Sequence, residues 1–159
     1  MRRGLAVLAG IAYLVVACRP APKPRTEPLV HSAYVWKQGW NERAAQGLAA
    51  DAIPAAITEL NVLVGECGLA GGARSVRVPW DVVKASGRKI ALSVRVGSRA
   101  SEKTGPLDNL DQGLELARRG LEAARAAGIE VREVQVDFDC PTRLLADYAG
   151  WVRKAEQGL

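Results

Sequence analysis

The sequence predicts an α/β fold, and three observations predict it. Segments rich in β-branched and aromatic residues alternate with segments whose apolar residues recur at three- and four-residue steps. Glycine and proline stand at nearly every change of period. Two of the strand segments also carry one aliphatic face and one small or polar face.

Each element has its own justification. "SAYVWKQ" is a first strand, and "NERAAQGLAADA" a short helix capped by Asn41, with Ala44, Leu48 and Ala49 on one face. "ELNVLVGEC" is a second strand, followed by the loop glycines Gly68, Gly71 and Gly72. "PWDVVKAS" is a short helix from Pro79, since proline is tolerated in a first turn, and it stops before Gly87. "KIALSVRVG" is a third strand. "NLDQGLELARRGLEAARAAG" is the clearest helix, with Leu110, Leu114, Ala117, Leu121 and Ala124 in one stripe and Gly128 as its stop. "VREVQVDF" is a fourth strand. "PTRLLADYAGWVRKAEQ" is its helix, with Leu144, Leu145, Tyr148, Trp151 and Val152 as the apolar stripe.

Strand–helix alternation argues for a parallel sheet with right-handed crossovers. Ile90, Leu92, Val94 and Val96 alternate with Ala91, Ser93 and Arg95; Val134, Val136 and Phe138 alternate with Gln135, Asp137 and Asp139. A doubly wound sheet wants both faces apolar. A barrel instead turns one face inward and gathers its site at the C-terminal mouth. The expectation is four (βα) units over residues 33–159, forming the N-terminal half of a TIM-like (β/α)8 barrel. The expectation is then either a truncated or fragmentary piece of a longer protein, inactive alone, or a half that pairs with another copy or chain.

The front end is read separately. Arg2 and Arg3 precede the apolar run "GLAVLAGIAYLVVA", too short to span a bilayer comfortably but suited to a signal peptide over residues 1–17. It ends at "VVAC", which resembles a lipobox and makes Cys18 the lipidated residue. "RPAPKPRTEPLV" follows within residues 18–32, a proline-rich tether of roughly 35 Å if extended. Arg19 after the cysteine favours the outer membrane facing the periplasm over retention at the inner membrane.

Removing the signal lowers the formal charge from +5 to +3, and the remaining cations are interspersed with acids. Nucleic acid is not an expected partner. The partners expected are the membrane, through the lipid, and a glycan. The one histidine, His31, lies at the tether's end, so no histidine-based zinc site or Ser-His-Asp triad is supported, and no cofactor is implied. Cys67 and Cys140 sit at the ends of next-nearest strands, nearly 10 Å apart on a sheet, which puts a disulfide out of reach unless loops bend inward.

Asp137 and Asp139, two apart, point the same way where the fourth strand meets its loop. Paired carboxylates at a barrel mouth are what acid–base chemistry on a glycosidic bond requires. The plainer role for Asp139 is a helix cap, and for Asp137 an ion pair with Arg95. Trp36 and Trp40 bracket the end of the first strand, offering aromatic faces to sugar rings. Glu66 and Arg95 end the second and third strands.

"AYVWKQGW" and "VQVDFDCPTRLLADYAGWV" resemble the bacterial family known as domain of unknown function 3142, over roughly residues 33 to 157. The resemblance implies a glycoside-hydrolase-like barrel longer than this chain. The D-x-D is also similar to the chitinase-like D-x-x-D-x-D-x-E, but the first Asp of that pattern is Val134 here and its proton-donating Glu is Pro141. Substrate-assisted hydrolysis by that route does not carry over.

Overall fold

The structure, a computed structural model, describes residues 31–69, 72–97 and 107–157. The signal segment, Cys18 and most of the tether lie outside the described residues. In chain order the elements are β1 (His31–Val35), α1 (Glu42–Gln46), β2 (Ile57–Cys67), β3 (Arg74–Ser75), α2 (Trp80–Ala85), β4 (Lys89–Val96), α3 (Asp108–Ala126), β5 (Val131–Phe138), a 3-10 turn (Thr142–Leu144) and α4 (Leu145–Ala155).

The chain is a mixed α/β protein, with a parallel sheet whose strands alternate with helices. Its order is β1-β2-β4-β5, so the long strands lie side by side in the order in which the chain makes them. All three of these pairings are parallel. The two-residue β3, absent from the sequence expectation, pairs antiparallel with the end of β2 at Gly65 and Glu66. β1 stops opposite Val62, so β3 takes over that edge of β2.

The aliphatic face carries the core. Leu60, Val62, Leu92, Val94 and Val96 are buried beneath Leu110, Leu116, Ala117 and Leu121 of α3. Contact is close because Gly120 has no side chain: a Cβ there would stand 2.7 Å from Val64. Gly128, at φ +72°, turns the chain out of α3 as expected.

Two helices differ from expectation. α1 ends at Gln46 and buries none of its residues. Gly47 is a poor helix former, and past it the backbone closes into three-residue turns, Leu48 N–H donating to the Ala45 carbonyl and Ala49 N–H to the Gln46 carbonyl, although Leu48, Ala49 and Ala50 are themselves good helix formers. The last helix begins as the 3-10 turn, and only Ala155 of α4 is buried, while Leu145 is an exposed apolar residue. Tyr148 and Trp151 dock it instead: Tyr148 lies 5.4 Å from Phe138, and Trp151 Nε1 donates to Asp111 Oδ1 at 2.9 Å.

Cys67 and Cys140 are both free thiols. Cys67 points into the core and donates its S–H to the Asn109 carbonyl at 3.2 Å. Burial pushes that thiol up to about 11, which leaves it unreactive at neutral pH.

Candidate functional site

The second face of the sheet is built by one irregularity in β2. Leu63 pairs with Ser93 and Gly65 with Val94, so Val64 is an extra residue, a β-bulge. Strict alternation would place Glu66 with Leu60, Val62 and Val64, under α3. The bulge turns Gly65 and Cys67 to that side and aims Glu66 at the polar face. Gly65 then fits where a Cβ would come within 2.9 Å of Leu116 Cβ.

Register stacks the polar face in rows. Tyr34, Asn61, Ala91 and Glu133 align across the four strands. Above them stand Leu63, Ser93 and Gln135, and above those Glu66, Arg95 and Asp137. Toward the strands' C-terminal ends this face thus carries a row of three ionisable groups.

Small residues in the middle strands let the edges meet. Tyr34 on β1 donates its hydroxyl to Gln135 Oε1 on β5 at 2.7 Å, passing over β2 and β4. Trp36 stacks on Tyr34, rings 6.0 Å apart and 11° from parallel. The Arg95 guanidinium carbon stands 6.0 Å from the Trp36 ring centroid, within cation–π range. Arg95 Nε also lies 3.9 Å from Asp137 Oδ2, both side chains about half exposed, at 51% and 50%. Such an exposed pair is worth about 0–1 kcal/mol and leaves both groups available to a ligand. Tyr34, Trp36, Ser93, Gln135, Val136 and Asp137 line a cleft of about 260 Å³.

Glu66 is different. Its side chain is 2% exposed, and its carboxylate accepts from Gln38 Nε2 at 3.0 Å and from Arg74 Nε at 3.0 Å and Nη2. Its charge is matched within the protein, so Glu66 holds the rim of the site and does not face solvent. Arg74 stands directly opposite it on β3, which accounts for that short strand.

Two buried polar atoms of this face, Asn61 Oδ1 and Ser93 Oγ, have no hydrogen-bond partner among the described residues. Each unmade bond costs about 1–3 kcal/mol.

The structure therefore brings together Trp36, Arg95 and Asp137, with Glu66 in register beside Arg95. It does not bring in the other two residues. Asp139 lies exposed past the end of β5, does not line the cleft, and caps neither the 3-10 turn nor α4. Trp40 packs partly against the core, its buried ring N–H without a partner among the described residues, and lines a separate cleft with Gln38, Arg77, Trp80 and Asp81. Sequence reasoning missed Tyr34 and Gln135 as site residues. The signal was present: each lies two residues from Trp36 or Asp137 and shares its face.

Among the described residues, no group of three or more His, Cys, Asp or Glu side chains stands close enough to hold a metal ion. Comparison with protein-family models, with curated proteins and with solved structures finds no match.

Proposed function

We propose that this chain is a lipid-anchored cell-envelope protein that engages a glycan on the polar face of a half-barrel of glycoside-hydrolase type. The observation that carries the reading is the Tyr34–Trp36 platform, 53% and 42% exposed, beside Arg95, Gln135 and Asp137. Pyranose rings present apolar C–H faces that stack on aromatic rings, and their hydroxyls need donors and acceptors at the rim. Arg supplies donors, ionised Asp acceptors, and Gln both.

The half-barrel reading is supported by the strand order. A doubly wound sheet reverses its order at a switch point, whereas β1-β2-β4-β5 advances in one direction. The polar groups also cluster toward the strands' C-terminal ends, where barrel enzymes hold their sites. Resemblance to the domain of unknown function 3142 family belongs to the same reading. So do the lipobox cysteine Cys18 and a place on the outer membrane facing the periplasm. Within this reading Asp137 and Asp139 are the acid–base candidates, Asp137 being the one that lines the cleft.

A second reading, binding without cleavage, is favoured by two observations: Asp137 already has Arg95 beside it, and Pro141 stands where a related pattern has its proton donor. One experiment separates the two. Envelope-derived oligosaccharides are titrated into the detergent-solubilised chain, following tryptophan fluorescence and reducing ends together. Quenching lost in Trp36→Ala supports the glycan face, and release of reducing ends lost in Asp137→Asn supports hydrolysis. Quenching without release leaves the binding protein. Neither signal with any glycan overturns both.

A further inference from the structure

At the opposite end of the sheet, the loops that feed β4 and β5 border an open cavity of about 510 Å³. Lys84, Arg88, Lys89 and Arg132 line it, with Glu130 as the one acid. None of these four cations forms an ion pair among the described residues. Lys84 Nζ donates to the Ala127 carbonyl at 3.0 Å and Arg88 Nη2 to the Ile53 carbonyl at 3.1 Å. Neutral carbonyls orient these charges without cancelling them. Arg88 Nε is buried with no hydrogen-bond partner among the described residues. Glu59 sits opposite Lys89 in register, yet the two make no ion pair.

The position of this cavity says what it meets. In a parallel sheet all strand starts lie at one end. Lys89 begins β4, Arg132 is the second residue of β5, and β1 begins at His31, where the proline-rich segment delivers the chain. That segment adds Arg19, Lys23 and Arg25 against Glu27. The end of the domain at which the chain enters β1 is thus the end that carries these four cations without an ion pair among the described residues.

We infer that the cavity of Lys84, Arg88, Lys89 and Arg132 is a docking surface for anionic phospholipid headgroups. It holds the domain with its strand starts on the bilayer and the Tyr34–Trp36–Asp137 cleft turned away from it. The inference rests on the lipid-anchor reading above and adds a second, electrostatic contact to it. One contact tethers and the other orients, which matters for a site that must reach a glycan beyond the membrane surface.

The test is amide exchange of the mature chain on vesicles of phosphatidylcholine alone and of phosphatidylcholine mixed with phosphatidylglycerol. The mass of the N-terminal peptide is read in parallel. On the anionic vesicles, exchange across residues 84–90 and 127–132 slows at least about fivefold, the attraction of one basic residue near an anionic surface. The slowing is lost at high salt, where the Debye length falls to about 3 Å at 1 M. It is also lost in Lys84→Gln/Lys89→Gln, two exposed positions whose neutralisation leaves the far-ultraviolet spectrum unchanged. Equal exchange on both vesicles overturns the proposal, as does protection that the double variant retains. Equal protection by inorganic phosphate on neutral vesicles overturns it too, assigning the cavity to a soluble anion. An unacylated N-terminal peptide sinks the anchor reading alone, because vesicle-dependent protection then still reports the surface. An acylated chain without protection sinks the surface alone.

Discussion

Glu66 shows at single-residue scale how a charged group is kept in a nearly closed position. Its carboxylate is matched by Gln38 and Arg74, so removing Arg74 strands a buried charge with one neutral donor. Arg74→Ala is expected to cost about 1–3 kcal/mol in urea denaturation, below the usual range for a broken buried pair because Arg74 is 55% exposed. Adding Glu66→Gln to that variant recovers part of the loss, since a neutral amide is less costly to bury. No recovery would mean that the charge is not what destabilises. Cys67 gives a pH prediction. Burial raises its folded value to about 11 from the ordinary thiol value of about 9, so above pH 9 the unfolded chain loses a proton that the folded chain keeps. Stability is therefore full below pH 9 and falls by about 2 kcal/mol as pH rises to 11. Tyr148, raised by burial and then by the nearby Cys140, adds to the loss in the same direction. Thermal melts between pH 8 and pH 11 check this, and Cys67→Ala should flatten the slope without abolishing it.

The sequence was most legible at the scale of elements, and least so where one residue changed a strand's phase. The 3.6-residue stripe of α3 and its glycine stop were plain, because burial beneath a long helix repeats the same demand at every turn. β4 and β5 were plain for the same reason at period two. The bulge at Val64 was not, since one extra residue leaves no mark in composition and shows only in pairing. Nor was β3, two residues long and fixed by the Glu66–Arg74 contact, which no local pattern encodes. α4 was legible as a helix but not in its burial, because a stripe read from sequence does not say how much sheet lies beneath it. Two helix glycines make this testable. Gly120→Ala drives a Cβ to 2.7 Å from Val64 and should cost about 1–3 kcal/mol through overpacking. Gly150→Ala, in α4, meets nothing nearer than Arg153 Nη2 at 4.0 Å, and should stabilise by about 0.5–1 kcal/mol through helix propensity. Denaturant midpoints for the pair should move in opposite directions. Two shifts of the same sign would mean that α3 does not sit on β2 as closely as described.

Across the whole molecule, stability and function are distributed unequally. β2 is buried along its last eight residues and β4 along nearly all of its length, whereas β1 is largely exposed and α1 buries nothing. Amide exchange should therefore be slowest in β2 and β4 and fastest in β1 and α1. The cleft residues lie across that gradient: Tyr34 and Trp36 belong to the weakly held β1 side, Gln135 and Asp137 to β5, and Ser93 to the rigid centre. Only the Tyr34–Gln135 hydrogen bond links the two outer strands directly among the described side-chain contacts of this face. That bond is exposed, so it competes with water and contributes about 0.5–1.5 kcal/mol at most. A glycan lying on the platform and reaching Asp137 would brace the same two strands from outside. A ligand that bound the folded chain alone would raise the melting temperature by mass action, with a gain near 2.7 kcal/mol at a hundred times its dissociation constant. The gain should appear in exchange as slower opening of β1 and β5, with β2 and β4 unchanged until global unfolding. Tyr34→Phe removes the cross-sheet bond and keeps the ring, so it should speed exchange in β1 while leaving glycan stacking intact. A ligand that protects β2 and β4 but not the outer strands would place its site somewhere other than this face.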